Sequence, residues 1–224
     1  MRDSKVIGIA AVLVTLGAWG LVYFSADGVV GPSIDPNTHE AIGWTIGRQT
    51  LGLLKPGGQV IVITRDTAEF KNPASDIQLR SFTKTLQEGH VSVGKLRALQ
   101  VDPLRPIEVP PGDFFDLIRN APKGSVIVSF MGPPLLTGQQ LKQLGEIKPS
   151  IVAFCSGSLP ERVDVRAIFE QGLLQAAVVS RKQVARSSLR PKGLQGWFDE
   201  SYLAVTPATL GNLSAQAGQP GGSN

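Results

Sequence analysis

The residues best equipped for chemistry lie in one short run, Cys155-Ser156-Gly157-Ser158. A thiol or hydroxyl becomes a working nucleophile only beside a group that takes its proton. The chain has two histidines, His39 and His90, and the element order given below places both at helix edges on the end of the sheet away from Cys155. Cys155 therefore reads as a small core hydrophobe. Ser156 and Ser158 lack the G-x-S-x-G turn that exposes a nucleophile, and no histidine follows them. Glu161 and Asp164 read as a helix start, where carboxylates cap N–H groups, rather than as an acid–base pair. Lys55-Pro56-Gly57-Gly58 is a helix stop and turn. Neither a G-x-G-x-x-G nor a Walker phosphate loop is present. With a single cysteine there is no internal disulfide and no Cys-based zinc cluster. The expectation is a chain without catalysis, metal or cofactor.

What remains is binding chemistry. In open α/β sheets a ligand sits at the carboxyl ends of the strands, where strand order reverses. Those ends carry Arg65 and Asp66, then Ser156 and Ser158, then Arg181, a polar rim suited to a small polar or anionic molecule. The plainer reading of such loops is solvated turns. Five cations and no acid fall within residues 181–192, among them Arg186, Arg190 and Lys192. Trp197, Phe198 and Tyr202 follow closely in a chain with only 6% aromatic residues. Together these six residues are candidates for contact with a partner or with lipid headgroups. The alternative is a solvated basic loop followed by rings that pack back on the sheet.

These positions rest on a predicted order of elements. Residues 39–54 have helical apolar spacing at Ile42, Ile46, Leu51 and Leu54. Residues 60–64 are a β-branched run, as a strand buried on both faces requires. A helix at 75–87 turns Ile77, Leu79, Phe82 and Leu86 to the sheet, and Gly89 closes it. A strand at 93–101 precedes a Pro-rich loop and a short helix at 114–120 that Asp113 caps. Strands at 126–131, 151–155 and 176–180 alternate with helices near 138–146 and 164–171, and an edge strand at 202–206 ends the domain. Strands alternating with helices mean βαβ units and a parallel sheet, and right-handed crossovers then give a three-layer, doubly wound α/β fold of five to six strands.

The N-terminus predicts a transmembrane helix. Residues 6–24 are nineteen positions without a charge, roughly 28 Å of helix at 1.5 Å per residue. Val6 and Leu13 lie in its first part, with Trp19, Tyr23 and Phe24 toward the end, where amphipathic rings favour the interface. A cleaved signal peptide would have a shorter apolar stretch ending in a small-x-small site, so an uncleaved anchor is expected. Arg2 and Lys5 precede the span and the next basic residue is Arg48, which leaves the head in the cytoplasm and exports the rest. In a bacterium this is an inner-membrane anchor with a periplasmic domain. The expected layout is an anchor at 1–26, a Gly/Pro-rich linker at 27–38, the α/β domain at 39–206 and a disordered tail at 207–224.

The 224 residues are 42% hydrophobic and 18% charged, which is globular composition with ample material for a core. A net charge of +4, from 22 basic and 18 acidic residues, is a mild excess, where a nucleic-acid binder of this size would show a denser basic face with aromatics among it.

The helix at 41–54, the Gly-Gly turn and strand at 59–66, the helical segment at 78–86, the strand running to Asp102, and the third to fifth strands resemble one lobe of the type I periplasmic binding protein fold, of the sugar-binding kind. The resemblance spans 39–182, about two-thirds of the chain. It implies a ligand clamped between two lobes, with Arg65, Asp66 and Ser156 at the positions of ligand-binding strand ends. Only one lobe fits here, so a second protomer or another subunit would supply the facing wall. The functional expectation is a single-pass, membrane-anchored accessory subunit whose exported α/β domain docks on a larger membrane complex. The alternative is a membrane-tethered sensor that binds a small polar or anionic solute.

Overall fold

Two Asx-Pro pairs set the geometry of the molecule. Asp35 caps α1 (Pro36–Leu53), its side chain accepting from the Asn37 N–H at 3.0 Å. Asn72 caps α2 (Pro73–Glu88), accepting from the Ser75 N–H at 3.1 Å. In both, proline occupies the first helical turn, where its missing N–H costs nothing and its fixed φ already suits the helix. The helices therefore start at Pro36 and Pro73, earlier than the predicted 39 and 75, and residues 36–38 belong to α1 rather than to a linker.

The computed structural model describes residues 34–68, 71–100, 108–145, 148–157, 159–181, 190–211 and 213. The apolar segment with Val6, Leu13, Trp19, Tyr23 and Phe24 lies outside them. Among the described residues no helix is long and apolar enough to cross a membrane.

Beyond α1 and α2 the chain forms β1 (Val60–Arg65), β2 (Val93–Leu99), α3 (Pro111–Asn120), β3 (Val126–Ser129), α4 (Gly138–Gln143), β4 (Ser150–Cys155), α5 (Leu159–Arg162), α6 (Val165–Glu170), β5 (Ala176–Ser180), α7 (Gly193–Ser201) and β6 (Tyr202–Val205), then a 3-10 turn at Pro207–Thr209. The fold is mixed α/β on a six-stranded sheet ordered β2-β1-β3-β4-β5-β6. Every pairing is parallel except that of β5 with the edge strand β6. Order reverses between β1 and β3, so a crevice opens beyond their carboxyl ends.

Side-chain alternation along the strands divides the core into two layers. Ile61, Ile63, Ile127, Ile151, Ala153 and Cys155 face one way, onto Phe114, Ile118, Ile168 and Phe169 of α3 and α6. Val60, Val62, Val126, Val128, Val152 and Phe154 face the other, onto Ala41, Ile42 and Ile46 of α1, Phe82 and Leu86 of α2, and Phe198 of α7. A helix layer on each face of a parallel sheet is the arrangement the β-branched runs require.

Several local expectations change. Asp113 stands in the first turn of α3, and the cap position belongs to Pro110, which makes no side-chain cap bond. The inner face of α2 carries Gln78, Phe82, Thr85 and Leu86, while Ile77 and Leu79 are only half-buried. This follows from α2 packing on α1, where Gly43 and Gly47 let the two backbones approach. Trp197 and Phe198, read from sequence as rings following a basic loop, stand on the helix α7. The expected disordered tail at 207–224 begins with the ordered 3-10 turn.

Candidate functional site

Four strands and two helix starts converge on one cavity of about 220 Å³. β1 contributes Thr64 and Arg65 at its carboxyl end, and the chain just past β3 contributes Phe130 and Met131. Phe154 on β4 and Ser156 just beyond it line the same space, with Tyr202 at the start of β6. From the helices come His39 in the first turn of α1, and Asn72, Ala74, Ser75 and Gln78 from the start of α2. The cavity therefore sits at the reversal of strand order, where both helices present their N-terminal ends and the positive ends of their dipoles.

Packing fixes its apolar surface. The Phe130 ring meets Phe82 edge-on at 5.6 Å between centroids. Phe154 lies 5.7 Å from Tyr202, which stacks in turn on Phe198 at 6.1 Å. Rings held by further rings lose little freedom on binding. The polar side is also pre-set. Gln78, only 5% exposed, donates from Nε2 to Nδ1 of His39 at 3.0 Å. An amide nitrogen only donates, so His39 accepts at Nδ1 and carries its proton on Nε2. Burial lowers the His39 pKa from 6.5, and the charge of Asp35 opposes this in part. The imidazole is thus neutral near pH 7.

The residues singled out from sequence separate clearly. Arg65 and Ser156 both line the cavity. Asp66 is held in the next turn, its N–H donating to Leu99 O at 2.8 Å and its Oδ1 accepting from the Ala68 N–H at 2.9 Å. Arg181 anchors the edge strand, donating from Nε to Tyr202 O and from its N–H to Ser201 O, each at 2.9 Å. Arg190 and Lys192 are exposed. Trp197 is half-buried, and Phe198, at 1% exposed, belongs to the core, so its ring is not presented to a partner. Ser158 and Arg186 lie outside the described residues.

His39 corrects the sequence reading. It lies at the carboxyl end of the sheet beside Ser156, because α1 starts there and runs back to the amino edge. The Asp35-Pro36 and Asn72-Pro73 signals would have placed His39, Asn72 and Gln78 in this crevice. The placement still makes no nucleophilic pair. Cys155 packs in the opposite core layer, where burial pushes its thiol up to about 12. Among the described residues no hydrogen bond joins Ser156 to His39, and no group of acidic, histidine or cysteine side chains is arranged to hold a metal.

No family model matches the chain, and no curated protein matches it. Solved structures resemble it in fold. The arabinose binding protein AraP from Geobacillus stearothermophilus superposes with a TM-score of 0.50 at 15% identity, over 78% of this chain and 63% of that one. A sugar ABC transporter (sugar-binding protein) from Bacillus halodurans gives 0.50 at 15% identity, over 78% and 64%. The chain thus spans less than two thirds of the length of these structures. At such identities the likeness is one of fold alone, to one lobe of type I periplasmic sugar-binding proteins.

Proposed function

We propose that this chain is a non-catalytic, membrane-tethered binding domain for a small polar solute, held in the cavity beyond β1, β3 and β4. The observation that carries the reading is the cavity itself: about 220 Å³ at the reversal of strand order, with fixed rings on one side and Arg65, Asn72, Gln78 and Ser156 on the other. That is smaller than the roughly 300–1,000 Å³ of drug-sized pockets, and suits a compact metabolite. A molecule with one apolar face and several hydroxyls would match both surfaces. The two similar structures, an arabinose binding protein and a sugar-binding protein, are in keeping with such a ligand. Residues 6–24 supply the tether, with the binding domain on the periplasmic side of a bacterial inner membrane.

Thermal melting of the full chain in mild detergent, against a panel of small sugars and sugar derivatives, tests this. A ligand that binds only the folded state raises Tm by mass action. At least one solute should do so, and Ser156→Phe, which fills the cavity, should remove the rise. A rise that survives Ser156→Phe, or a panel without effect, would overturn the assignment.

A second reading, docking on a larger membrane complex as an accessory subunit, is favoured by β2. This edge strand has no buried residue along Val93–Leu99, and its Leu96 is 53% exposed between Lys95 and Arg97. An open strand edge with an apolar side chain outward is a ready pairing surface. Leu96→Asp should release the chain from any assembly it enters in mild detergent. Migration alone before and after the change would count against docking.

A further inference from the structure

The charge pattern of the cavity narrows the solute. Among the described residues Arg65 is its one permanent cation, and no aspartate or glutamate lines it. Arg65 also has no ion-pair partner among the described residues. Three described carboxylates of the flanking turns and helix starts accept hydrogen bonds from their own surroundings. Asp35 accepts from Asn37 and Thr38, Asp66 accepts from the Ala68 N–H, and Asp76 accepts from the Thr67 hydroxyl. A guanidinium left unpaired in a partly enclosed site retains its full capacity for a planar two-oxygen acceptor.

Resting on the solute-binding reading above, we infer that the bound solute is a small monocarboxylate bearing hydroxyl groups, such as a sugar acid, whose carboxylate pairs with Arg65 while its hydroxyls meet Asn72, Gln78 and Ser156. The two helix N-termini add positive potential of the same sign as the guanidinium. A neutral sugar would use the hydroxyl partners but leave the Arg65 charge uncompensated. A phosphate monoester would bring close to two negative charges against one permanent cation, since His39 is neutral. At about 30 Å³ per liquid water, the cavity has room for about seven waters, which fits a hexose-sized acid.

The test is calorimetric titration of the full chain in mild detergent with gluconate, glucuronate, glucose, arabinose and glucose 6-phosphate. The carboxylates should bind at least tenfold more tightly than the neutral sugars and than the phosphate ester. Arg65→Gln should weaken carboxylate binding at least tenfold, and by clearly more than it weakens neutral-sugar binding. Ser156→Asp, which sets a like charge in the cavity, should weaken carboxylate binding more than it weakens neutral-sugar binding, and each variant is checked for an unchanged circular dichroism spectrum. Neutral sugars binding as tightly as the acids, or losing as much on Arg65→Gln, would overturn the carboxylate assignment and leave solute binding standing. Tightest binding of the phosphate ester would overturn it in favour of a phosphorylated solute. If none of the five binds, both this inference and the solute-binding reading fail.

Discussion

Gln78 Nε2 lies 3.0 Å from His39 Nδ1, joining the first turn of α1 to the buried face of α2 across 39 positions of sequence. The bond sets the orientation of an imidazole that lines the cavity, and it needs Nδ1 unprotonated. Protonation would turn two donors toward each other, which burial of the ring already disfavours.

The first prediction follows from that pair. The folded pKa of His39 is lowered below 6.5, chiefly by burial. As pH falls through 6.5 the unfolded chain takes up a proton before the folded one does, so stability rises with pH in that window and is lost on acidification. Melting of the wild type and His39→Gln should run parallel above about pH 7, and the wild type should fall faster below 6.5. A wild type that gains on the variant as pH falls would mean that Asp35 outweighs burial.

Close approach of α1 to α2 gives the second. A Cβ on Gly43 would land on the backbone oxygen of Gln78 and within 2.9 Å of Phe82 N. Backbone cannot rotate away as a side chain can, so Gly43→Ala should cost about 1–3 kcal/mol. At about 2–4 °C per kcal/mol for a chain of this size, Tm should drop by several degrees. Gly52, near the end of the same helix, has nothing within 4 Å of its added Cβ, and Gly52→Ala should be neutral or stabilising by up to about 1 kcal/mol. Equal effects at the two positions would refute the packing argument.

The third concerns Cys155. Its burial and a thiol pushed up to about 12 leave almost no thiolate at pH 8, and the thiolate is the reactive form. A thiol reagent should label the folded chain only at the rate at which it opens, and should label it at once in denaturant. Cys155→Ser should destabilise more than Cys155→Ala, since a buried hydroxyl without a partner costs about 1–3 kcal/mol. Rapid labelling of the folded chain would reopen a reactive role.

The sheet could be read from sequence because runs such as Val60 to Thr64 and Ile151 to Cys155 are β-branched or apolar throughout, a pattern few elements other than doubly covered strands produce. The inner face of α2 could not. Gln78 and Thr85 are polar, and their burial depends on Gly43 and Gly47 in another helix, which no periodicity along α2 reports. The same split runs through the candidate site. Arg65 and Ser156 follow from the strand-end rule, whereas His39, Asn72 and Gln78 depend on where α1 and α2 begin. Those starts are written in Asp35-Pro36 and Asn72-Pro73, which resemble linker and loop until proline is read as a first-turn residue. Gly193 and Gly196 likewise masked α7, whose Phe198 is held by tertiary packing rather than by helix propensity.

The last prediction lies where α2 ends. Gly89 stands at the C-cap with ordinary φ, and His90 takes the left-handed conformation, with φ of 57°. For a residue with a Cβ this costs roughly 1–2 kcal/mol. Both bonds that close the turn are made by backbone, His90 N–H to Gln87 O and Val91 N–H to Leu86 O, each at 2.9 Å, so they survive a change of side chain. His90→Gly removes the strain and adds about 0.5–1 kcal/mol of unfolded-state entropy. The net expectation is a gain of about 0.5–1 kcal/mol, read as a higher denaturant midpoint with an unchanged m value. A lower midpoint would mean that the His90 side chain contributes more to the fold than its backbone strain costs.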